Sequence, residues 1–340
     1  MSMSPLEPMS KNGTSALGVL AWIFSLLVVV AIAASLSVMF VVSASGPLEQ
    51  EKVIVIEKGS SVSDIGNSLE KEGAVRNAFL FSASARLMAG GSLKAGEYAI
   101  PAQASVKEII RIIREGKSIV RLFTVPEGLT SAEIIKLLND APAMTGVVAN
   151  IPAEGTLLPE TYRYDYGDNR ASIMARMQKA MQEKANEIWA ARDQGLPATS
   201  LQEAIALASI VEKETGKAEE RSRIAGVFYN RLRIGMRLQS DPTVIYAITM
   251  GRRQMERSLT HDDLAFASPI NTYFSAGIPP QPICNPGAAA LEAVAHPERN
   301  NYLYFVADGS GGHAFAPDMA SHERNVVRWR QIQRSSGERQ

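Results

Sequence analysis

Two carboxylates, Glu212 and Glu214, close an apolar stretch that begins at Leu201. Residues two apart on a helix are turned by about 200°, so these two point to nearly opposite sides. They cannot share a proton or grip one ligand, and one of them alone must carry any chemistry. Glu214 continues the side of Leu207 and Ile210, whereas Glu212 follows Ile205 and Ala208. A carboxyl at the end of a buried helix resists ionisation, because desolvation raises its pKa. The negative end of the helix dipole adds roughly 0.3–1 kcal/mol in the same sense, less than one pKa unit at about 1.36 kcal/mol each. Burial must supply the rest, and an acid held protonated near neutral pH can act as a general acid. The competing reading is plain: Lys213 and Lys217 are close in sequence, and Glu212 also fits a rim salt bridge.

The elements that position these groups are marked in the chain. Ser200 with Glu203 three residues on reads as a capping box, and Gly216 as a left-handed stop. Between them Leu201, Ala204, Ile205, Leu207, Ala208, Ile210 and Val211 leave no wet face, so the helix is buried. Residues 224–233 predict a second helix with basic residues at its end. Residues 235–246 predict a loop entering a helix, with Asp241 and Pro242 at its start and Thr243 as a contact. Residues 268–273 and 277–282 are proline-stiffened loops suited to a groove wall. In 154–167 aromatics and acids surround a proline. That segment fits a groove loop, or one strand face made by Tyr162, Tyr164 and Tyr166. Residues 170–192 and 288–295 read as packing helices, and 302–315 as a hairpin. The hairpin's Gly-rich turn lacks the Gly-Lys-Ser/Thr ending of a phosphate loop.

At 340 residues the chain has room for two domains. Lysines plus arginines number 35 and acids 35, so no global charge points to nucleic acid. Cys284 is the only cysteine and the four histidines lack zinc-type spacing, so neither a disulfide nor a metal site is expected. The expected organisation begins with a disordered tail (1–16) and a transmembrane helix (17–42). The uncharged run LGVLAWIFSLLVVVAIAASLSVMFVV exceeds the about 20 residues a bilayer needs. Charge does not fix its orientation, with Lys11 before it and Lys52 and Lys58 after it. A stalk (43–51) follows, then a small module (52–123), a larger α+β domain (124–330) and a disordered tail (331–340). A hydroxyl cap with an acid three residues on recurs at Ser61/Asp64, Ser105/Glu108 and Thr130/Glu133. Two of these follow strand-like runs, which describes a reused β-turn-helix unit. Small βαα units of this sort resemble LysM modules, which bind amino-sugar polymers.

Five segments carry a longer resemblance: ASIVEKET (208–215), NRLRIGMRLQSDPTVIY (230–246), NTY (271–273), GIPP (277–280) and YLYFVADG (302–309). Together they resemble the endolytic murein transglycosylases of the MltG, or YceG-like, family, over nearly everything beyond the stalk. The resemblance implies a bacterial inner-membrane protein with a single span and its bulk on the outer side. It would cleave the β-1,4 bond between N-acetylmuramic acid and N-acetylglucosamine within nascent peptidoglycan strands, leave 1,6-anhydro ends, and so terminate glycan elongation near the peptidoglycan synthases. It assigns catalysis to Glu214, the glutamate before the threonine, with no cofactor. The matched segments offer Thr215, Asn230, Gln239, Asp241, Thr243, Asn271 and Tyr273 as substrate-binding residues. Ile270 departs from the Tyr-Asn element of other lytic transglycosylases, so no tyrosine hydroxyl is available there.

A single carboxyl suffices for such a reaction, since the sugar's own C6 hydroxyl is the nucleophile. A hydrolase needs two, about 5–9.5 Å apart, and Glu154, Glu160 or Asp241 could supply the second. A wall-binding scaffold without catalysis is the third reading.

Overall fold

The computed structural model describes residues 16–335; of the tails expected at 1–16 and 331–340, residues 1–15 and 336–340 lie outside the described residues, whereas Ala16 opens a helix and 331–335 continue one. Helix α1 (Ala16–Ser43) is long and apolar enough to cross a membrane. The following segment is tied to the small unit it precedes. Gly46 N–H donates to the Gln103 carbonyl at 3.0 Å, and Gln103 N–H to that of Leu48 at 2.8 Å.

The described chain divides into two compact units, the first ending at Ile119 and the second starting at Val120. In the first, β1 (Lys52–Ile56), α2 (Val62–Lys71), α3 (Ala78–Ala89), β2 (Gly96–Ile100) and α4 (Val106–Glu115) follow α1. Strands β1 and β2 pair antiparallel, Ile54 facing Tyr98 in register. Alternation puts Ile54 and Ile56 inside while Val53 stays exposed. The core adds Leu69, Phe81, Ile109 and Ile113. Ser61 and Asp64 form the full reciprocal capping box; Ser105 accepts from Glu108 N–H without the return bond.

The second unit opens with β3 (Arg121–Thr124), α5 (Ser131–Asp140) and the two-residue β4 (Met144–Thr145). Next come β5 (Thr161–Tyr164), the two-residue β6 (Asp168–Asn169) and α6 (Arg170–Ala190). Strands β3 and β5 pair antiparallel. Residues 161–164 are therefore a strand, with Tyr162 and Tyr164 on its buried face. Then follow α7 (Leu201–Glu214), a short 3-10 turn, α8 (Arg221–Arg233), α9 (Asp241–Thr249) and α10 (His261–Leu264). The chain continues through α11 (Ala288–Ala295), the hairpin β7 (Tyr304–Ala307) and β8 (His313–Ala316), and α12 (Met319–Ser335).

Helix α7 lies in the core, as its apolar sequence requires. Leu207, Ala208, Ile210 and Val211 are inaccessible, packed among Ile224, Phe228, Leu291 and Val294. Each large side chain buried this way contributes about 1.5–3 kcal/mol. Its ends differ from expectation. Ser200 Oγ accepts from Glu203 N–H at 3.2 Å, but Glu203 reaches back to Thr199 N–H and Oγ, so the box is not reciprocal. Gly216 is not left-handed. The helix stops because Thr215 turns extended, at φ −145°, where its Oγ meets Glu220 Oε2 at 3.3 Å and accepts from Lys217 N–H at 3.0 Å.

Candidate active site

The two glutamates at the end of α7 have opposite fates. Glu212 is consumed by structure: its side chain is only 4% exposed, it pairs with Arg221 at 3.0 Å, and its other oxygen accepts from Gly287 N–H at 2.8 Å. Burial pushes its pKa up, against the Gly287 hydrogen bond and the Arg221 charge, which lower it. Arg221 also reaches Glu127 at 3.1 Å, so one cation joins three segments of chain.

Glu214 has no such tie. Its Oε1 accepts a hydrogen bond of 2.5 Å from Ser240 Oγ, and among the described residues no donor reaches Oε2. Burial dominates its titration and raises the pKa. Ser240 lowers it, the Asp241 charge raises it, and His313 and Arg231 pull it down. The carboxyl nevertheless belongs to a half-buried residue, which leaves it one open side.

Ser240 is the residue that sequence reasoning missed. It is the N-cap of α9, a position where a serine hydroxyl ordinarily bonds its own helix, but here the hydroxyl is diverted to Glu214. A ring of bonds holds it there. Ser240 N–H donates to Thr272 Oγ at 2.9 Å, and Thr243 Oγ donates to the Ser240 carbonyl at 2.6 Å. With Thr243's only hydroxyl proton spent, Thr272 must be the donor in the 2.9 Å contact between the two threonine oxygens. The next residue back, Gln239, is an exposed non-glycine at φ 49°, a backbone strain of order 1 kcal/mol that the ring sustains.

The expected binding residues fall into two groups. Asp241 and Tyr273 lie beside Glu214 and are at least partly exposed, with Tyr273 donating to Asp241 Oδ1 at 2.6 Å, while the exposed Gln239 is placed only by its N–H on the Thr272 carbonyl. Both Asp241 and Tyr273 interact electrostatically with Glu214. Thr215, Thr243 and Asn271 are buried and satisfied by protein, so they position other groups. Asn271 spends its amide on the carbonyls of Leu264 and Phe266 and accepts from Tyr273 N–H. Asn230 is committed to Asn300 and the Tyr302 carbonyl, fastening α8 to the strand that follows.

Two further groups stand near Glu214. Arg231, one of the basic residues at the end of α8, is buried, with Nε on the Leu303 carbonyl at 2.7 Å and Nη1 on that of Leu238. His313 Nδ1 lies 2.7 Å from Glu220, whose pKa burial raises but the His313 hydrogen bonds lower overall.

Ser240→Ala removes the hydrogen bond that holds Glu214's pKa down. In an acid-catalysed reaction activity falls as the acid deprotonates, so the alkaline limb of the rate profile moves to higher pH. Rates of both proteins across pH 5–9 check this; an unmoved limb means Ser240 does not set the acid.

With this geometry in hand, the comparisons with known proteins are specific. The YceG-like family model matches residues 54–328. An endolytic murein transglycosylase of Streptococcus pneumoniae serotype 2 is 30% identical over 319 residues, covering 80% of this chain and 57% of the relative. This chain thus spans little more than half of that protein's length. One of the same name from Bacillus subtilis is 29% identical over 304 residues, covering 80% of this chain and 82% of the relative. The crystal structure of a yceG-like protein from Listeria monocytogenes superposes with a TM-score of 0.50 at 29% identity, over 81% of this chain and 98% of the other.

Proposed function

We propose a function on one premise: this chain belongs to the YceG-like family. It is an endolytic murein transglycosylase that cuts the bond between N-acetylmuramic acid and N-acetylglucosamine inside a glycan strand and leaves a 1,6-anhydro end. The observation that carries the reading is the asymmetric carboxyl of Glu214, with one oxygen held by Ser240 and the other unclaimed.

The reaction uses that free oxygen twice. The proton on Oε2 passes to the leaving O4 as the C1–O4 bond breaks and its electron pair stays on O4. The C6 hydroxyl then attacks C1, and its proton goes to the carboxylate, which restores the acid. Acid–base help of this kind is worth about 10²–10⁴-fold, and the intramolecular nucleophile contributes through orientation. Asp241 and Tyr273 hold the sugar against Glu214. Raised by burial, the Glu214 pKa keeps the acid form available.

The rest of the chain supplies location. Helix α1 anchors the protein in the inner membrane, with both units on the outer side beside the machinery that extrudes new strands, so that cutting ends their elongation. The β1-α2-α3-β2 order within the first unit supports reading it as a LysM-like module that binds amino-sugar polymers.

One observation supports a second reading. The Asp241 charge acts on Glu214, so a hydrolase with Asp241 activating water has its second carboxylate near the acid. Mass spectrometry of products from purified strands decides between them. Anhydro ends support the transglycosylase; products heavier by one water, with reducing ends, overturn it.

A further inference from the structure

The opposite face of α7 carries a cavity, of about 430 Å³, that the reaction above does not use. Ile205 lines it, and the nine residues from Ile205 to Glu214 amount to a half-turn away in direction, by about 100° per residue. Pro282 and the Tyr246 ring form apolar walls, and Gln281, Glu154 and Arg252 supply the polar groups.

The cavity is built in advance. Gly155 sits at φ 74°, where a Cβ would come 2.6 Å from Pro282 and 2.7 Å from Ile205. Gly251, at φ 66°, would place one 2.9 Å from Tyr246 and 3.2 Å from Glu154 Oε1. Neither position accepts a side chain, so the loops close tightly around the space.

Glu154 has work on one oxygen only. Its Oε2 accepts from Ser131 N–H at 2.8 Å and Asn285 Nδ2 at 3.3 Å, which anchors α5. Its Oε1 has only the Tyr246 hydroxyl, at a long 3.5 Å, and Gln281 approaches that hydroxyl at 3.4 Å. Burial raises this acid's pKa against the Ser131 and Tyr246 hydrogen bonds, which lower it, and a cation at the open Oε1 side would favour its charged form further. Arg252 stands exposed on the lining. The lining therefore offers an inner anion, an outer cation and apolar walls between them.

We propose that this pocket binds a zwitterionic amino-acid centre, with its ammonium on Glu154, its carboxylate on Arg252 and its alkyl stem along Tyr246 and Pro282. Such a centre ends the side chain of a diamino acid like diaminopimelate in the peptide branches of murein. The proposal rests on the murein reading of the function and deepens it: the enzyme reads the peptide as well as the sugar.

The test is calorimetric titration of the full chain in detergent with three soluble probes. These are an N-acetylglucosaminyl-N-acetylmuramic acid disaccharide carrying a diaminopimelate peptide, the same with lysine in its place, and the bare disaccharide. None contains the bond the enzyme cuts, so binding is read independently of cleavage. The diaminopimelate probe is expected to bind at least about tenfold more tightly than the bare sugar, a difference of about 1.4 kcal/mol. The lysine probe, lacking the terminal carboxylate, falls between. Arg252→Ala abolishes the preference for diaminopimelate over lysine, and Glu154→Gln weakens both peptides toward the bare sugar. Because Glu154 also anchors α5, acetylating the probe's free amine serves as an independent equivalent. Equal binding of all three probes by the wild type overturns the proposal, as does an undiminished preference in Arg252→Ala. Loss of anhydro products with the peptide preference intact fails the transglycosylase reading alone.

Discussion

Glu214→Gln slows cleavage of purified glycan strands by about 10²–10⁴-fold while leaving the fold at least as stable. The amide keeps an oxygen for the Ser240 hydroxyl, so the 2.5 Å contact has a replacement. What it cannot do is donate and recover an acidic proton. Stability follows from linkage. Burial raises the Glu214 pKa above its ordinary 4.5, so between that value and the raised one the folded state binds more protons than the unfolded chain. Unfolding free energy therefore falls with rising pH across that window. Glutamine does not titrate, so the variant's Tm relative to the wild type climbs as pH rises from the ordinary 4.5 to the raised value and is level beyond it. Calorimetry at several pH values, alongside strand digestion, reads both effects. Wild-type turnover in the variant would remove Glu214 from the mechanism.

Arg221→Met is the most damaging change expected for the fold. Its guanidinium serves Glu212 and Glu127 together. Removing it strands Glu212, whose side chain is 4% exposed, as a buried carboxylate with no cation and only the Gly287 N–H. Breaking a buried pair from one side costs about 3–5 kcal/mol. Glu127→Gln, at a side chain 41% exposed, costs less than about 1 kcal/mol. A second change, Glu212→Gln, recovers much of the Arg221→Met loss because it removes the orphaned charge. Urea unfolding of the single and double variants supplies the coupling energy. Additive losses would mean that Arg221 acts through packing alone.

The contrast between these sites explains what was legible in the chain. Helix α7 and its burial could be read because apolar residues cover every face, and the divergence of Glu212 from Glu214 followed from helical rotation alone. The start of α9 at Asp241 was also written locally, in the Ser-Asp-Pro signal. What failed depended on side-chain partners that the residue pattern does not specify, some of them only five to seven positions away. Gly216 looked like a left-handed stop, but Thr215 is drawn toward Glu220 and ends the helix first. Asn271 resembled a ligand contact, but its amide is saturated by backbone inside its own loop. Ser240 drew no notice because nothing nearby in the chain shows its hydroxyl turning to a residue on another helix. Strand β2, with glycine and glutamate among its five residues, has little strand character without β1 beside it.

The circle of bonds among Ser240, Thr243 and Thr272 has a consequence for how Glu214, acting as proposed, stays protonated. Every hydroxyl hydrogen in that circle already has a destination, and Ser240 connects to it only through its peptide N–H and carbonyl. Peptide groups do not relay protons as hydroxyls do, so no leak runs from Glu214 into the interior along this path. The acid exchanges with its surroundings through a single doorway, the side where a sugar would lie. A seated strand shuts that doorway, and the hydrogen lent to the departing half can be replaced only by the half that stays.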